Sequence, residues 1–113
     1  MRYCEETAKE AGKVLGIDEK GVLVGSTGVI GMQIPIDKIK AGITELAKGK
    51  KADLASGTEA AKAIMTTDTK KKEVAVTFMA GDTEVTIGGM AKGSGMIHPN
   101  MCTMLAFITK KKK

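Results

Sequence analysis

The sequence predicts an α+β chain with α/β-like layers, in which a mixed sheet is covered by helices on both faces. Three observations lead there. Apolar residues recur at helical spacing in three separate segments, the period changes to two after Glu73, and glycine-bearing loops separate the regular stretches. A chain of 113 residues has room for one small domain with a modest core.

Residues 3–15 place Cys4, Ala8, Ala11 and Leu15 on one helical face, and Gly16 supplies the stop. Val22-Leu23-Val24 is a short apolar run that reads as a buried strand, followed by the glycine-punctuated loop Gly25 to Gly31. Pro35 suits the first turn of a second helix, striped by Ile36, Ile39, Ile43 and Leu46 and ended by Gly49. Ser56 and Glu59 have capping-box spacing, so a third helix is expected from there, burying Ala60, Ala63 and Ile64. Val74, Val76 and Phe78 then alternate, as do Val85 and Ile87 beyond the Ala80-Gly81-Asp82 turn, which predicts a β-hairpin. Gly88 to Asn100, with four glycines and a proline, is expected to be irregular, and Met101 to Ile108 a buried strand.

Composition narrows the function classes. The formal net charge is +5, but four of those charges sit on Lys110 to Lys113, which leaves +1 for the rest. That run is expected to be a solvated tail, residues 110–113. With 3% aromatics and no Trp, base-stacking nucleic-acid modules are disfavoured, so no nucleic-acid partner is expected. No apolar run reaches membrane-spanning length, so no membrane partner is expected either. Cys4 and Cys102 make no disulfide framework, and with one histidine they offer no metal cluster. A cytoplasmic location is the default expectation.

Three loops hold residues with chemical potential, and loops on a scaffold are where function concentrates. Ser26-Thr27-Gly28 can aim backbone N–H groups and a hydroxyl at one point, as an oxyanion hole requires, and can equally be an ordinary turn. Met65-Thr66-Thr67-Asp68-Thr69 crowds three hydroxyls together, and reads equally as the polar end of a helix. The stretch from Ala91 to Thr103 includes Lys92-Gly93-Ser94-Gly95 and His98. Its lysine precedes the glycines, unlike a P-loop, and His98 has no acidic neighbour in sequence to make it a base.

Taken jointly, Ser-Thr-Gly-Val-Ile-Gly, Met-Thr-Thr-Asp-Thr and Lys-Gly-Ser-Gly-Met-Ile-His-Pro-Asn-Met-Cys-Thr-Met-Leu resemble, in order and spacing, the glutamate N-acetyltransferase (ornithine acetyltransferase) family of arginine biosynthesis. The resemblance covers residues 3–109 and implies an internal fragment, residues 1–109, around a self-cleavage site between Cys102 and Thr103. It implies that the hydroxyl of Thr103 accepts an acetyl group from N-acetyl-L-ornithine and passes it to L-glutamate. Acetyl-CoA is a further co-substrate the family allows, and no cofactor is implied. Thr27 and Gly28 match oxyanion positions, and Thr66, Lys92 and Thr103 match substrate-binding ones. The implied assembly is an α/β heterotetramer.

The sequence departs from the family in two respects. Cys102 stands where alanine is common before the cut, and the family has further chain on both sides, including a second subunit without which the fold is incomplete. A non-catalytic binding or assembly domain on the same scaffold is the alternative reading.

Overall fold

The computed structural model describes residues 1–95 and 103–112. The chain divides into two compact units, Met1–Lys51 and Ala52–Lys113. The first holds α1 (Arg2–Leu15), a 3-10 turn at Glu19–Gly21, and α2 (Ile36–Lys48).

Helix α1 stops at Gly16, whose φ of 69° lies in the left-handed region that glycine adopts without strain. The chain then folds back closely on the helix. Ile17 N–H donates to the Gly12 carbonyl at 3.0 Å, and a Cβ on Gly12 would come within 2.9 Å of the Ile17 carbonyl oxygen. Helix α2 follows Pro35 and ends at Gly49, as its spacing predicts.

The two helices meet through polar side chains as well as apolar ones. Lys40 Nζ donates to Glu6 Oε2 at 2.7 Å, and Thr44 Oγ1 to Glu10 Oε1 at 3.3 Å. The Lys40 ammonium holds the Glu6 carboxyl below its usual range, and Glu6 raises Lys40 in return. These contacts shift the expected stripes. Ala8 and Ala11 are half-buried but Cys4 and Leu15 are exposed, and on α2 the half-buried seam ends at Ala47 rather than Leu46.

The strand expected at Val22–Val24 is not formed, and Leu23 is 96% exposed. A strand needs a second ladder for its backbone groups, and the first unit has no other strand among the described residues.

The second unit consists of α3 (Leu54–Ala63) and strands β1 (Lys72–Ala80), β2 (Thr83–Lys92) and β3 (Leu105–Lys112). The cap of α3 is Asp53, not Ser56. Its extended backbone (φ −135°) lets its carboxylate accept the Ser56 N–H at 2.7 Å, so Ser56 lies inside the first turn. Ala61 is the fully buried residue of this helix, whereas Ala60 and Ala63 face solvent and Ile64 is half-buried. Thr58, Ala61, Ile64 and Met65 form the less exposed line, one turn apart as helix geometry requires.

The sheet order is β1-β2-β3, antiparallel throughout. The α+β class stands, and the expected mixed sheet is corrected to an antiparallel one. The two-residue turn Gly81-Asp82, with Gly81 at φ 62°, permits no other pairing of β1 and β2. Val76 faces Ile87 and Phe78 faces Val85, as the alternation predicts. Strand β2 continues through Gly88–Lys92, where irregular chain was expected. Gly88 and Gly89 are flanked by partners on both sides, and those two ladders outweigh the weak strand preference of glycine. Of the strand expected over Met101 to Ile108, Met101 and Cys102 lie outside the described residues. Strand β3 runs from Leu105 and continues into the expected lysine tail, where the β2 ladder pairs Lys110 with Ile87 and Lys112 with Val85.

Two covered faces are also more than this unit provides. Helix α3, ten residues and so about 15 Å long, meets a β2 of ten residues that spans about 34 Å. Val74, Val76 and Phe78 stay between 44% and 64% exposed. Val85, 8% exposed, and Ala61 are the buried apolar residues among those described.

The hairpin turn and the helix interior respond oppositely to a side chain. Gly81→Val strains the left-handed turn and lowers stability by about 1–2 kcal/mol. Gly57→Ala, where an added Cβ meets nothing within 4 Å, raises stability by about 0.5–1 kcal/mol. Denaturant unfolding of both variants checks the signs.

Candidate functional site

The polar centre of the second unit lies where β2 ends. Lys92, the last residue of that strand, is 5% exposed, and its Nζ donates to Thr66 Oγ1 at 3.1 Å. A buried ammonium loses hydration that a neutral hydroxyl replaces only in part, so this end of the strand favours an anion. Thr66 reaches it from the bend that follows α3.

Asp68, 9% exposed, joins the same two segments from behind. Its Oδ1 accepts the Thr66 N–H at 3.3 Å, and its Oδ2 accepts the Gly93 N–H at 3.3 Å and Lys72 Nζ at 2.7 Å. Lys72, followed by these N–H donors, holds the Asp68 carboxyl down to about 2 from an ordinary 3.8, against the opposing effect of burial. The junction is tight beyond these bonds. Gly95 N–H donates to Thr67 Oγ1 at 3.1 Å, and a Cβ on Gly95 would overlap the Thr67 carbonyl.

Of the residues singled out in the sequence, Thr66 and Lys92 are brought into contact. Thr103 is exposed and stands two residues before β3, whose first residue, Leu105, pairs with Lys92. The strand register therefore sets the approach to Thr103 beside the end of β2. Thr27 and Gly28 belong to the first unit, in exposed irregular chain, and the turn there forms at Ile30-Gly31 with Met32 N–H donating to the Val29 carbonyl at 3.1 Å. Cys102 and His98 lie outside the described residues.

Sequence reasoning missed Asp68, Lys72 and the steric role of Gly95. The available signal was an acid inside the hydroxyl cluster with a lysine four residues on, but that spacing has meaning only once Gly93 closes on the same carboxylate.

A groove of about 490 Å³ lies between α3 and the sheet, with Leu54, Val74, Met90 and Phe107 on its walls. Its carboxylates are occupied, Asp53 as the helix cap and Glu73 with Thr58 and Lys71. Among the described residues no group of three or more His, Cys, Asp or Glu could hold a metal ion. No helix among them is long and apolar enough to cross a membrane.

The fold has a counterpart among solved structures. The crystal structure of the arginine biosynthesis bifunctional protein argJ from Bacillus halodurans superposes with a TM-score of 0.69 at 38% identity, covering 87% of this chain and 50% of that one. An α+β segment is thus shared with a protein whose name places it in arginine biosynthesis. Residues 1–112 match the ArgJ family, and the chain belongs to that family. The arginine biosynthesis bifunctional protein ArgJ of Symbiobacterium thermophilum is 50% identical over 109 residues, which is 96% of this chain and 27% of the relative. That of Thermotoga neapolitana is 51% identical over 108 residues, 96% and 25% respectively. The chloroplastic ArgJ of Ostreococcus lucimarinus is 48% identical over 105 residues, 93% and 23%. The chain therefore spans about a quarter of the length of the curated relatives it matches.

Because the folded carboxyl of Asp68 is depressed, its contribution to the junction is complete above the unfolded value of 3.8 and is lost as pH falls through about 2. The Gly93 amide proton should follow that titration by NMR, with a midpoint near 2. A midpoint at the ordinary carboxylate value would contradict the arrangement.

Proposed function

We propose that this chain is the part of an arginine-biosynthesis acetyltransferase that surrounds the self-cleavage bond, and that with the rest of its polypeptide it transfers an acetyl group from N-acetyl-L-ornithine to L-glutamate. The observation behind this reading is the Lys92–Thr66 pair at the strand end beside the approach to Thr103. Membership of the family supports it.

A threonine hydroxyl is a weak nucleophile at neutral pH and needs a base. In the precursor, Thr103 Oγ attacks the Cys102 carbonyl carbon, the peptide C–N bond breaks, and the freed nitrogen takes the hydroxyl proton. Water then hydrolyses the resulting ester. The new α-amine of Thr103, whose unperturbed pKa is about 7.7–8.0, is the base for the mature enzyme. It accepts the hydroxyl proton as Oγ attacks the acetyl carbonyl, and returns a proton to the departing amine of ornithine. Glutamate's amine then attacks the acetyl ester and regenerates the hydroxyl.

Lys92 is suited to a substrate carboxylate, as a compact charge already stripped of water, and Thr66 to a second hydrogen bond on the same group. Thr27 and Gly28 are assigned to the tetrahedral oxyanion. The working assembly on this reading is an α/β heterotetramer, with acetyl-CoA as an additional acetyl donor.

The test is a full-length relative in which this segment replaces its counterpart, assayed for acetyl transfer from N-acetylornithine to glutamate. Thr103→Ala should abolish both chain cleavage and transfer, read by mass spectrometry and amino-acid analysis. Retention of either contradicts the assignment. Thr27→Ala should lower turnover by about 10²–10³ if it removes an oxyanion donor.

A further inference from the structure

We infer that Asp68 is a positioning residue for the substrate-carboxylate site, holding Thr66 and Lys92 at their working separation while Lys72 takes up its charge. The inference rests on the acetyl-transfer reading of that site.

Asp68 touches neither substrate-facing group directly. It accepts the backbone N–H of Thr66 itself and of Gly93, the residue after Lys92, so one carboxylate fixes the main chain on both sides of the pair. The two segments are 26 residues apart between Thr66 and Lys92, and no regular ladder joins them. Gly95 adds a steric lock on the same bend, since its Cα lies where only a hydrogen fits against the Thr67 carbonyl.

The charge arrangement is as specific as the geometry. An acid that paired with the buried ammonium would neutralise it, and a neutralised Lys92 would attract a substrate carboxylate weakly. Here Asp68 is ion-paired with Lys72 at 2.7 Å, and Lys72 is further anchored on the Lys70 carbonyl at 2.7 Å. Lys92 keeps a hydroxyl partner instead. Lys72 thus keeps the acid of the scaffold from competing with the acid of the substrate.

Two measurements test this. In the 113-residue chain, Asp68→Asn should speed amide hydrogen exchange at Thr66 and Gly93 by about tenfold or more, the loss of a hydrogen bond to a charged acceptor. Exchange at Val76 in β1 should stay within about twofold, since local opening leaves the sheet intact. Unchanged rates at Thr66 and Gly93, or an equal rise at Val76, overturn the inference. In the full-length relative bearing this segment, Asp68→Asn should raise KM for glutamate about tenfold with kcat little changed. Added to Lys92→Ala it should cost less than about twofold more, because it acts through the group already removed. A full multiplicative penalty overturns the positioning role.

Should Asp68→Asn not fold, Lys72→Gln replaces it. The freed carboxylate then turns to Lys92, and KM rises by the same order; an unchanged KM overturns the inference. If the unsubstituted enzyme transfers no acetyl group, the reaction itself is wrong and the inference falls with it. A transfer-competent enzyme indifferent to these changes sinks the inference alone.

Discussion

A single carboxylate placed between two chain segments organises the polar end of the second unit. Backbone N–H groups withdrawn from water must find acceptors, and at Thr66 and Gly93 no ladder provides them. Asp68 satisfies both and is itself kept ionised by Lys72. A hydroxyl or an amide at this position could not do the same with equal strength, because charge-assisted hydrogen bonds are the stronger class. The bend after α3 and the residues that directly follow β2 are therefore one object, although 25 residues of sequence separate Asp68 from Gly93.

The sheet serves this junction through its register. Lys92 pairs with Leu105, so the chain leaves β2 and enters β3 side by side, with Lys92 on one strand end and Thr103 two residues ahead of the other. Gly88 and Gly89 in the middle of β2 are part of the same economy of space. A Cβ on Gly88 would sit 3.4 Å from Thr109 Oγ1, and one on Gly89 would sit 3.6 Å from the Phe107 carbonyl oxygen. Three closely packed strands keep the ends of β2 and β3 in step, and any slip by one residue would turn Lys92 to the opposite face.

Much of this was legible in the sequence, and the failures have physical causes. Helices α1 and α2 were visible because apolar spacing and glycine stops agree locally, and the β1–β2 hairpin because alternation flanks a Gly-Asp turn. The cap of the third helix was placed three residues late because Ser56 and Glu59 imitate a cap. The true cap, Asp53, is distinguished only by an extended backbone that no composition reports. Val22–Val24 and Gly88–Lys92 were misjudged in opposite directions for one reason, that strand formation depends on a partner. The apolar run has no ladder in its unit among the described residues, whereas the glycine-rich run has two. At the candidate site, the motif pattern singled out Thr66 and Lys92, whose contact the structure contains. It could not identify Asp68, whose role exists only after Gly93 arrives.

The arrangement of charges explains why two lysines and one acid occupy so small a region. Had Asp68 faced Lys92, the ammonium would already be paired, and a carboxylate from outside would have to displace an internal one of equal charge. Had Asp68 been absent, Lys92 would keep its charge but lose the fixed bend that presents Thr66. With Lys72 half-exposed at 46%, the acid is neutralised from the solvent side, where an ammonium is easily accommodated. The buried lysine is left with a hydroxyl, a partner that holds it in place without cancelling it. On the proposed acetyl transfer, a site that takes up an amino-acid carboxylate and then releases it gains from such a partner, because the charge is available to each incoming substrate in turn.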